Sequence, residues 1–486
     1  MPLLHGLPRK LRLSLTLVAL AITAATALGA GATTAHAARS MSIGIADDRV
    51  LLKGTDAQAA SAVDAWSKLG IDVVRIHAVW GMIAPGLHSQ KMPAGFDPRN
   101  PNDPRYNFAH LDRAINLVTS RGMKVLLNVT GYGPVWASQQ PSRRDIRWKP
   151  DPAKFAAFAT AIARRFGSRV DEYLIWNEPN MPLWLKPQST CSRGHCTPYA
   201  PHLYRNIVLK SGPAIRAADP GARIIAGALA PRGQTIRSAE SKYRPLAFMR
   251  AMGCVTTRYK RDRSGPCRGF TAPVVDGFAY HPNGITIAPT TPSPNPDDAQ
   301  MSDLGRFIRA LDKVTRAGGL KPRTGKRLGV WLDEFDYQTN PPDPYAGVSL
   351  AKQNWWLQQG AATAWANSRV RNLTQYVWED EPYKKGQGGN QGGLRFTNGK
   401  AKPSLAGFRA PFVPTRRSSS TVRAWGQVRP GGRTTVQLQR KSGKTWKTIA
   451  TTGTDAYGGF RKDVRVRGRA TLRFRWPGGT SNARTV

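Results

Sequence analysis

"LIWNEPN", residues 174–180, runs an apolar strand straight into Trp176, Asn177 and Glu178 and then forbids further pairing with Pro179. Proline lacks an N–H and fixes φ, so the strand must stop there with an amide and a carboxylate at its tip. Working outward, Asp151 to Phe166 reads as an amphipathic helix before this strand and Tyr199 to Ala218 as one after it. The same beat repeats in both directions. Expected strands are Ser42–Ala46, Ile71–His77, Lys124–Val129, Asp171–Trp176, Arg223–Ala228, Val274–Tyr280, Leu328–Leu332 and Leu373–Trp378. Helical patterns follow them at Asp56–Leu69 (N-cap Thr55, stop Gly70), Phe108–Arg121, Asp151–Phe166, Tyr199–Ala218, Leu246–Met252, Ala299–Ala317, Leu350–Ala366 and Ser404–Ala410. Eight alternating units over about 370 residues imply parallel strands and a closed (β/α)8 TIM barrel of α/β class. A doubly wound open sheet is the alternative, weakened because no Gly-rich nucleotide loop follows the first strand.

The chain has 486 residues, enough for a large domain and a satellite. After Pro411 its character changes. "PTRRSSS" reads as a linker, and short alternating segments such as "TVRAWGQV", "RTTVQLQRK" and "TLRFRW" predict a small all-β sandwich. The expected division is a signal peptide over 1–37, a catalytic barrel over 38–412 and a basic β module over 413–486. Arg9, Lys10 and Arg12 precede an apolar run, and Ala35-His36-Ala37 fits a cleavage site, so export is expected, with an uncleaved membrane anchor as the alternative.

Export permits disulfides among Cys191, Cys196, Cys254 and Cys267. Three pairings are possible; Cys191–Cys196 with Cys254–Cys267 is favoured because each closes a short polar loop. A zinc site pairing His195 with Cys196 is the competing reading, and no cofactor or metal is expected. The net charge is +42, and Thr415–Val486 carries seventeen Lys or Arg against Asp455 and Asp463. Such a surface suits an acidic glycan, a cell-wall polymer or an anionic lipid surface before nucleic acid, or is simply a solvated basic surface. A monomer is expected.

In a barrel the chemistry sits at the C-terminal ends of the strands. Strand four ends at Asn177-Glu178 and strand seven at Asp333-Glu334. Strand two ends near Arg75-Ile76-His77, strand six at Tyr280-His281 and strand eight at Trp378-Glu379. Strands four and seven lie nearly opposite, so Glu178 and Glu334 can face each other. Two facing carboxyl groups are what hydrolysis of an acetal link requires, one as acid and the other as nucleophile or base. Arg75 could hold a carboxylate ionised, and Asn177 could meet a sugar 2-hydroxyl.

"WNEPN", "DEF", "VVRI" and "YVW" at these strand ends resemble a clan A retaining glycoside hydrolase, with families 39 and 5 the nearest in pattern, over residues 41–410. The resemblance implies an exported enzyme cleaving O-glycosidic bonds of a poly- or oligosaccharide. It makes Glu178 the acid/base, Glu334 the nucleophile and Asn177 the 2-hydroxyl contact. Arg75 and Tyr280 or His281 would position the nucleophile. Trp378 would be the sugar-stacking floor, helped by Trp136 or Trp80. Asp333 departs from the pattern, and strand alternation would point it away from the lumen. A non-catalytic carbohydrate- or wall-binding barrel and a transglycosidase are the alternatives. The C-terminal segment resembles Ig-like or fibronectin-like modules of exported proteins.

Overall fold

The computed structural model describes residues 41–325, 327–384 and 389–486. The expected signal peptide, its cleavage site and the alternative anchor lie outside them. Among the described residues no helix is long and apolar enough to cross a membrane.

Eight parallel strands close a barrel in chain order: β1 (Ser42–Ala46), β2 (Val73–Val79), β3 (Lys124–Thr130), β4 (Glu172–Ile175), β5 (Arg223–Leu229), β6 (Gly277–Tyr280), β7 (Gly329–Phe335) and β8 (Val370–Tyr376), with β8 pairing back to β1. A helix follows each: α1 (Asp56–Lys68), α2 (Ala109–Thr119), α3 (Pro152–Phe166), α4 (Ala200–Ala218), α5 (Pro245–Met252), α6 (Leu304–Arg316), α7 (Leu350–Trp365) and α8 (Pro403–Arg409). Local chemistry sets the ends. Thr55 caps α1 in a reciprocal box with Gln58, and Gly70 at φ 70° turns the chain out of it. Asp151 accepts from the N–H groups of Ala153 and Lys154 at the start of α3, where Pro152 needs no partner. β6 is shorter than its sequence pattern, because Val274–Val275 leaves the barrel to pair with Lys321–Pro322.

Alternation sorts the side chains. Val73, Leu126, Leu174, Ile225, Ala279 and Trp331 form an apolar plug inside the barrel. Their strand neighbours, such as Val74, Leu127, Ile175 and Leu332, pack outward against the helices. The plug closes the lumen below the C-terminal strand ends, where a barrel gathers its chemistry.

No linker follows the barrel. "PTRRSSS" begins inside strand β9 (Phe412–Arg416) and supplies the turn into β10 (Thr421–Gln427). β9, β10 and β13 (Gly459–Arg465) form one antiparallel sheet. β11 (Thr435–Ser442), β12 (Thr445–Gly453) and β14 (Thr471–Trp476) form the other with two short strands. Phe412, Val422, Leu438, Phe460, Leu472 and Phe474 fill the space between them. This β layer is packed onto the barrel. Trp425 meets Trp365 of α7 at 6.0 Å between ring centroids, and the Phe412 N–H donates to Gln358 Oε1 at 3.0 Å. The buried Arg429 guanidinium lies 4.1 Å over Phe408 of α8, and burial pushes it down to about 9 although Asp72 pulls the other way.

The cysteines pair locally. Cys191–Cys196 bridges a small hairpin and Cys254–Cys267 closes the loop beyond α5, so the sulfur that a zinc site with His195 would need is committed to a disulfide.

Candidate active site

One step above the apolar plug, the inward positions become polar. Arg75, Asn128, His281 and Asp333 stand two residues beyond Val73, Leu126, Ala279 and Trp331, and all four are buried. On β4 the pattern breaks. Trp176, at φ 66°, swings out against Phe155 at 5.2 Å, and Asn177 takes the inward place. Glu178 also lies in the left-handed region, at φ 39°, a conformation that costs a non-glycine residue on the order of 1–3 kcal/mol. Its N–H donates to Ala228 O at 2.9 Å. Asn180, fully buried, staples the turn by donating to Ala230 O and Tyr243 O and accepting from the Ala230 N–H.

Arg75 is the hub. Its Nη2 donates to Asn177 Oδ1 at 2.6 Å, Nε pairs with Asp333 Oδ2 at 3.0 Å and Nη1 with Glu334 Oε1 at 2.9 Å. The Asn128 amide, turned with its oxygen inward, accepts from Arg75 Nη2 and His77 Nε2 at 2.9 and 3.2 Å. Burial works against the guanidinium's charge, but Glu334 and Asp333 outweigh it and raise it above its ordinary value. His281 is the second hub. Its Nδ1 lies 3.0 Å from Glu178 Oε1 and 3.4 Å from Glu334 Oε2, and its Nε2 lies 3.2 Å from Asp333 Oδ2. Burial alone would push this imidazole down; the surrounding carboxylates lift it to about 10. Asp333 is likewise opposed by burial, yet His281 and Arg75 hold it below the usual carboxylate range.

One oxygen each of Glu178 and Glu334 and a nitrogen of His281 lie within 4.8 Å of one another. Such a trio could in principle grip a metal ion. The carboxylates around it raise the His281 imidazole, so the same geometry also suits two carboxyl groups bridged by a protonated ring.

Strand alternation misplaces Asp333. Its side chain does not point away from the lumen: it follows the inward parity of Trp331 and is 0% exposed. The pairing of β7 with β8 shifts register between Leu332 and Phe335, and this irregularity brings Glu334 to the same side. Both acids of "DEF" therefore enter the site, one below the other.

Four aromatic expectations are corrected as well. Tyr280 faces outward, stacked on Phe307 of α6 at 3.9 Å, since its neighbour His281 has the inward position. Trp80 is wholly buried and stacked on Phe158 of α3 at 5.8 Å. Trp136 packs edge-on against Trp80 and Phe96 and donates to Pro85 O, so neither indole is open to a sugar. Trp378 is also buried, edge-on to Trp66 of α1 and beneath the Arg395 guanidinium. β8 ends at Tyr376, two residues earlier than its pattern suggests, and Asp47 captures the N–H groups of Trp378 and Glu379.

Three groups stand in the cleft that sequence reasoning did not assign. Half-buried Tyr376 is the aromatic at the strand end; burial first, then Glu334 and Asp48, raise its phenol well above the ordinary value. His77 bonds through Nδ1 to Asp48 and is stacked under Trp184 at 6.1 Å and 9°. Trp184 lies in the loop that begins at the Asn-Glu-Pro turn, which was the available signal. Asp336 is buried beside Asn390, whose Nδ2 donates to it at 3.0 Å, and burial lifts it to about 7. Lys402 secures the neighbouring loop through Asp380 Oδ1, Thr339 Oγ1 and Gln391 O.

Residues 34–243 match the family described as cellulase, glycosyl hydrolase family 5. The matched segment, a little under half of the chain, makes it a glycoside hydrolase. A glucosidase from Croceicoccus marinus shares its fold, with a TM-score of 0.52 and 12% identity over 88% of this chain and 94% of that one. A family 39 glycoside hydrolase from Bacteroides cellulosilyticus WH2 aligns with a TM-score of 0.48 and 13% identity over 88% and 81%. Xylanase 10B from Thermotoga petrophila RKU-1 in complex with xylobiose aligns at 0.44 and 15% over 75% and 92%. At these identities the structural likeness concerns the fold alone. No curated protein matches the sequence. The eight-stranded parallel barrel of this glycoside hydrolase, with its added β layer, agrees with the architecture expected from its sequence.

Proposed function

We propose that this hydrolase cleaves a poly- or oligosaccharide with retention of anomeric configuration, with Glu334 as nucleophile and Glu178 as acid/base. The observation that carries the reading is the approach of the two carboxyl groups to within 4.8 Å, oxygen to oxygen. Retaining enzymes hold their carboxyl groups about 5–5.5 Å apart, whereas inverting enzymes leave room for a water at about 6.5–9.5 Å.

In the first step a Glu334 oxygen bonds to the anomeric carbon while the Glu178 proton passes to the departing glycosidic oxygen. In the second, water attacks that carbon, gives its proton to Glu178, and the Glu334 ester bond breaks. Arg75 and His281 keep negative charge on Glu334 before attack and receive it back afterwards. Because Arg75 occupies the Asn177 amide oxygen, the amide NH2 is turned to the sugar 2-hydroxyl. Tyr376 and Trp184 replace Trp378, Trp80 and Trp136 as the aromatic surfaces against the ring.

The test is turnover across a panel of activated aryl glycosides. Glu334→Gln and Glu178→Gln should each abolish release, and azide should restore it for Glu334→Gly, giving a glycosyl azide of the opposite configuration. Wild-type rates in both glutamine variants would overturn the assignment. Inverted product from the wild type, followed by NMR, would overturn retention.

Two disulfides support an exported setting. The basic β layer supports attachment to an acidic glycan, testable by salt-dependent retention on an immobilised polyuronate. Elution unaffected by salt would reject that attachment.

A further inference from the structure

Glu334 does not stand alone on β7. The register shift after Leu332 places Asp333 directly beneath it, wholly buried, where a strand would ordinarily send one of two neighbours outward. A single oxygen, Asp333 Oδ2, meets both Arg75 Nε at 3.0 Å and His281 Nε2 at 3.2 Å. The same two cations reach upward with their other nitrogens: Arg75 Nη1 to Glu334, His281 Nδ1 to Glu178 and Glu334. Each cation thus spans a lower acid that no substrate can touch and an upper acid that faces the cleft.

We propose that Asp333 is a positioning residue of the hydrolysis: from below it fixes Arg75 and His281, and through them sets the orientation and charge presented to Glu334 and Glu178. The inference rests on the assignment of those two glutamates. With Asp333 in place, Arg75 and His281 are each shared between Asp333 below and the glutamates above. Without its charge, His281 keeps burial against it and loses one of the carboxylates that hold its proton. Its other charged or titratable neighbours are Glu178, Glu334 and Arg75, with Asp336 farther off.

Asp333→Asn is the discriminating variant. An amide oxygen can stand where Oδ2 stands and accept from both donors, so shape is kept and charge is removed. The expected result is a fall in kcat of about tenfold or more with KM changed less than about twofold, and an alkaline limb of kcat/KM moved about one pH unit or more lower. A merely structural role would lower the active fraction and leave the limb where it was. Histidine labelled with 15N reports the same event directly: His281 should lose its ring proton at lower pH in the variant than in the wild type. A pH profile superimposable on the wild type, with His281 titrating at the same pH, would overturn the proposal. Should the variant not fold, the wild type still tests it, because His281 must show both ring nitrogens protonated at pH 8. A neutral ring there refutes the proposal. Glu178→Gln and Glu334→Gln run alongside. If they are inactive while the Asp333→Asn profile is unmoved, only this proposal fails; if they are active, the glutamate assignment itself fails.

Discussion

Replacing Arg75 with methionine keeps most of the side-chain volume and removes a guanidinium that serves Asp333, Glu334 and Asn177 at 3.0, 2.9 and 2.6 Å. Arg75 and Asp333 are both inaccessible to solvent, and the Glu334 side chain is 10% exposed. The partners left behind cannot recover water, so the cost is that of breaking a buried ion pair, about 3–5 kcal/mol. Against a total stability of about 5–15 kcal/mol, the variant should fold but lose a large part of its margin. Urea unfolding at pH 7.5, followed by tryptophan fluorescence, measures the loss as a lower midpoint. The pH dependence gives a second handle. His281 and Arg75 hold Asp333 below its ordinary range in the fold, so its stabilisation is present at neutral pH and fades as pH falls through that lowered value. The gap between wild type and variant should therefore narrow at acid pH. Arg75→Lys keeps the charge but not the fork, and should fall between the two. A loss below about 1 kcal/mol for the methionine variant, or a gap that does not change with pH, would refute the description of this site as a buried ionic network.

Trp80→Ala should cost about 3–5 kcal/mol in urea unfolding with KM unchanged in the folded fraction, because its indole is packed on Phe158. Trp184→Ala should do the reverse, raising KM with little change in midpoint; equal KM effects would refute the reassignment. Asp336 is raised by burial to about 7, so its contribution to stability is full below the ordinary carboxylate value and is lost as pH rises through 7. Asp336→Asn should flatten that decline in midpoint between about pH 4 and pH 8, and parallel curves would exclude the shift. Trp425→Ala should cost about 3 kcal/mol or more and lower the hydrogen-exchange protection of α7 and β10 together. Loss confined to β10 would show that the barrel does not depend on the contact.

The barrel was legible because its signals repeat. Helix caps such as Thr55 and Asp151 and β-branched strands separated by periodic helices survive the reading of any single element. The two glutamates were legible for the same reason: each sits where the alternation reaches a strand tip. Side-chain direction was harder. "VWLDEF" reads as unbroken alternation, and nothing in its letters marks the register shift that brings Glu334 in beside Asp333. At β6 the signal was present, since small Gly277 and Ala279 alternate with bulky Phe278 and Tyr280, which puts His281 inside and Tyr280 out. The tryptophans could not be sorted, because an indole that packs and one that stacks on a ligand look alike in sequence. "PTRRSSS" has a linker's composition, yet a hairpin turn between paired strands uses the same polar residues.

The direct passage from α8 into β9 has a mechanical meaning. With Phe412 tied to α7 and Arg429 tied to α8, the β layer cannot swing on a tether. A glycan chain held on its basic surface would meet the barrel mouth at one separation and one angle. Such a two-point grip gains effective concentration only for chains long enough to span the gap and is lost for shorter ones. If the added layer holds glycan as proposed, rigidity of this kind would make it a ruler for substrate length.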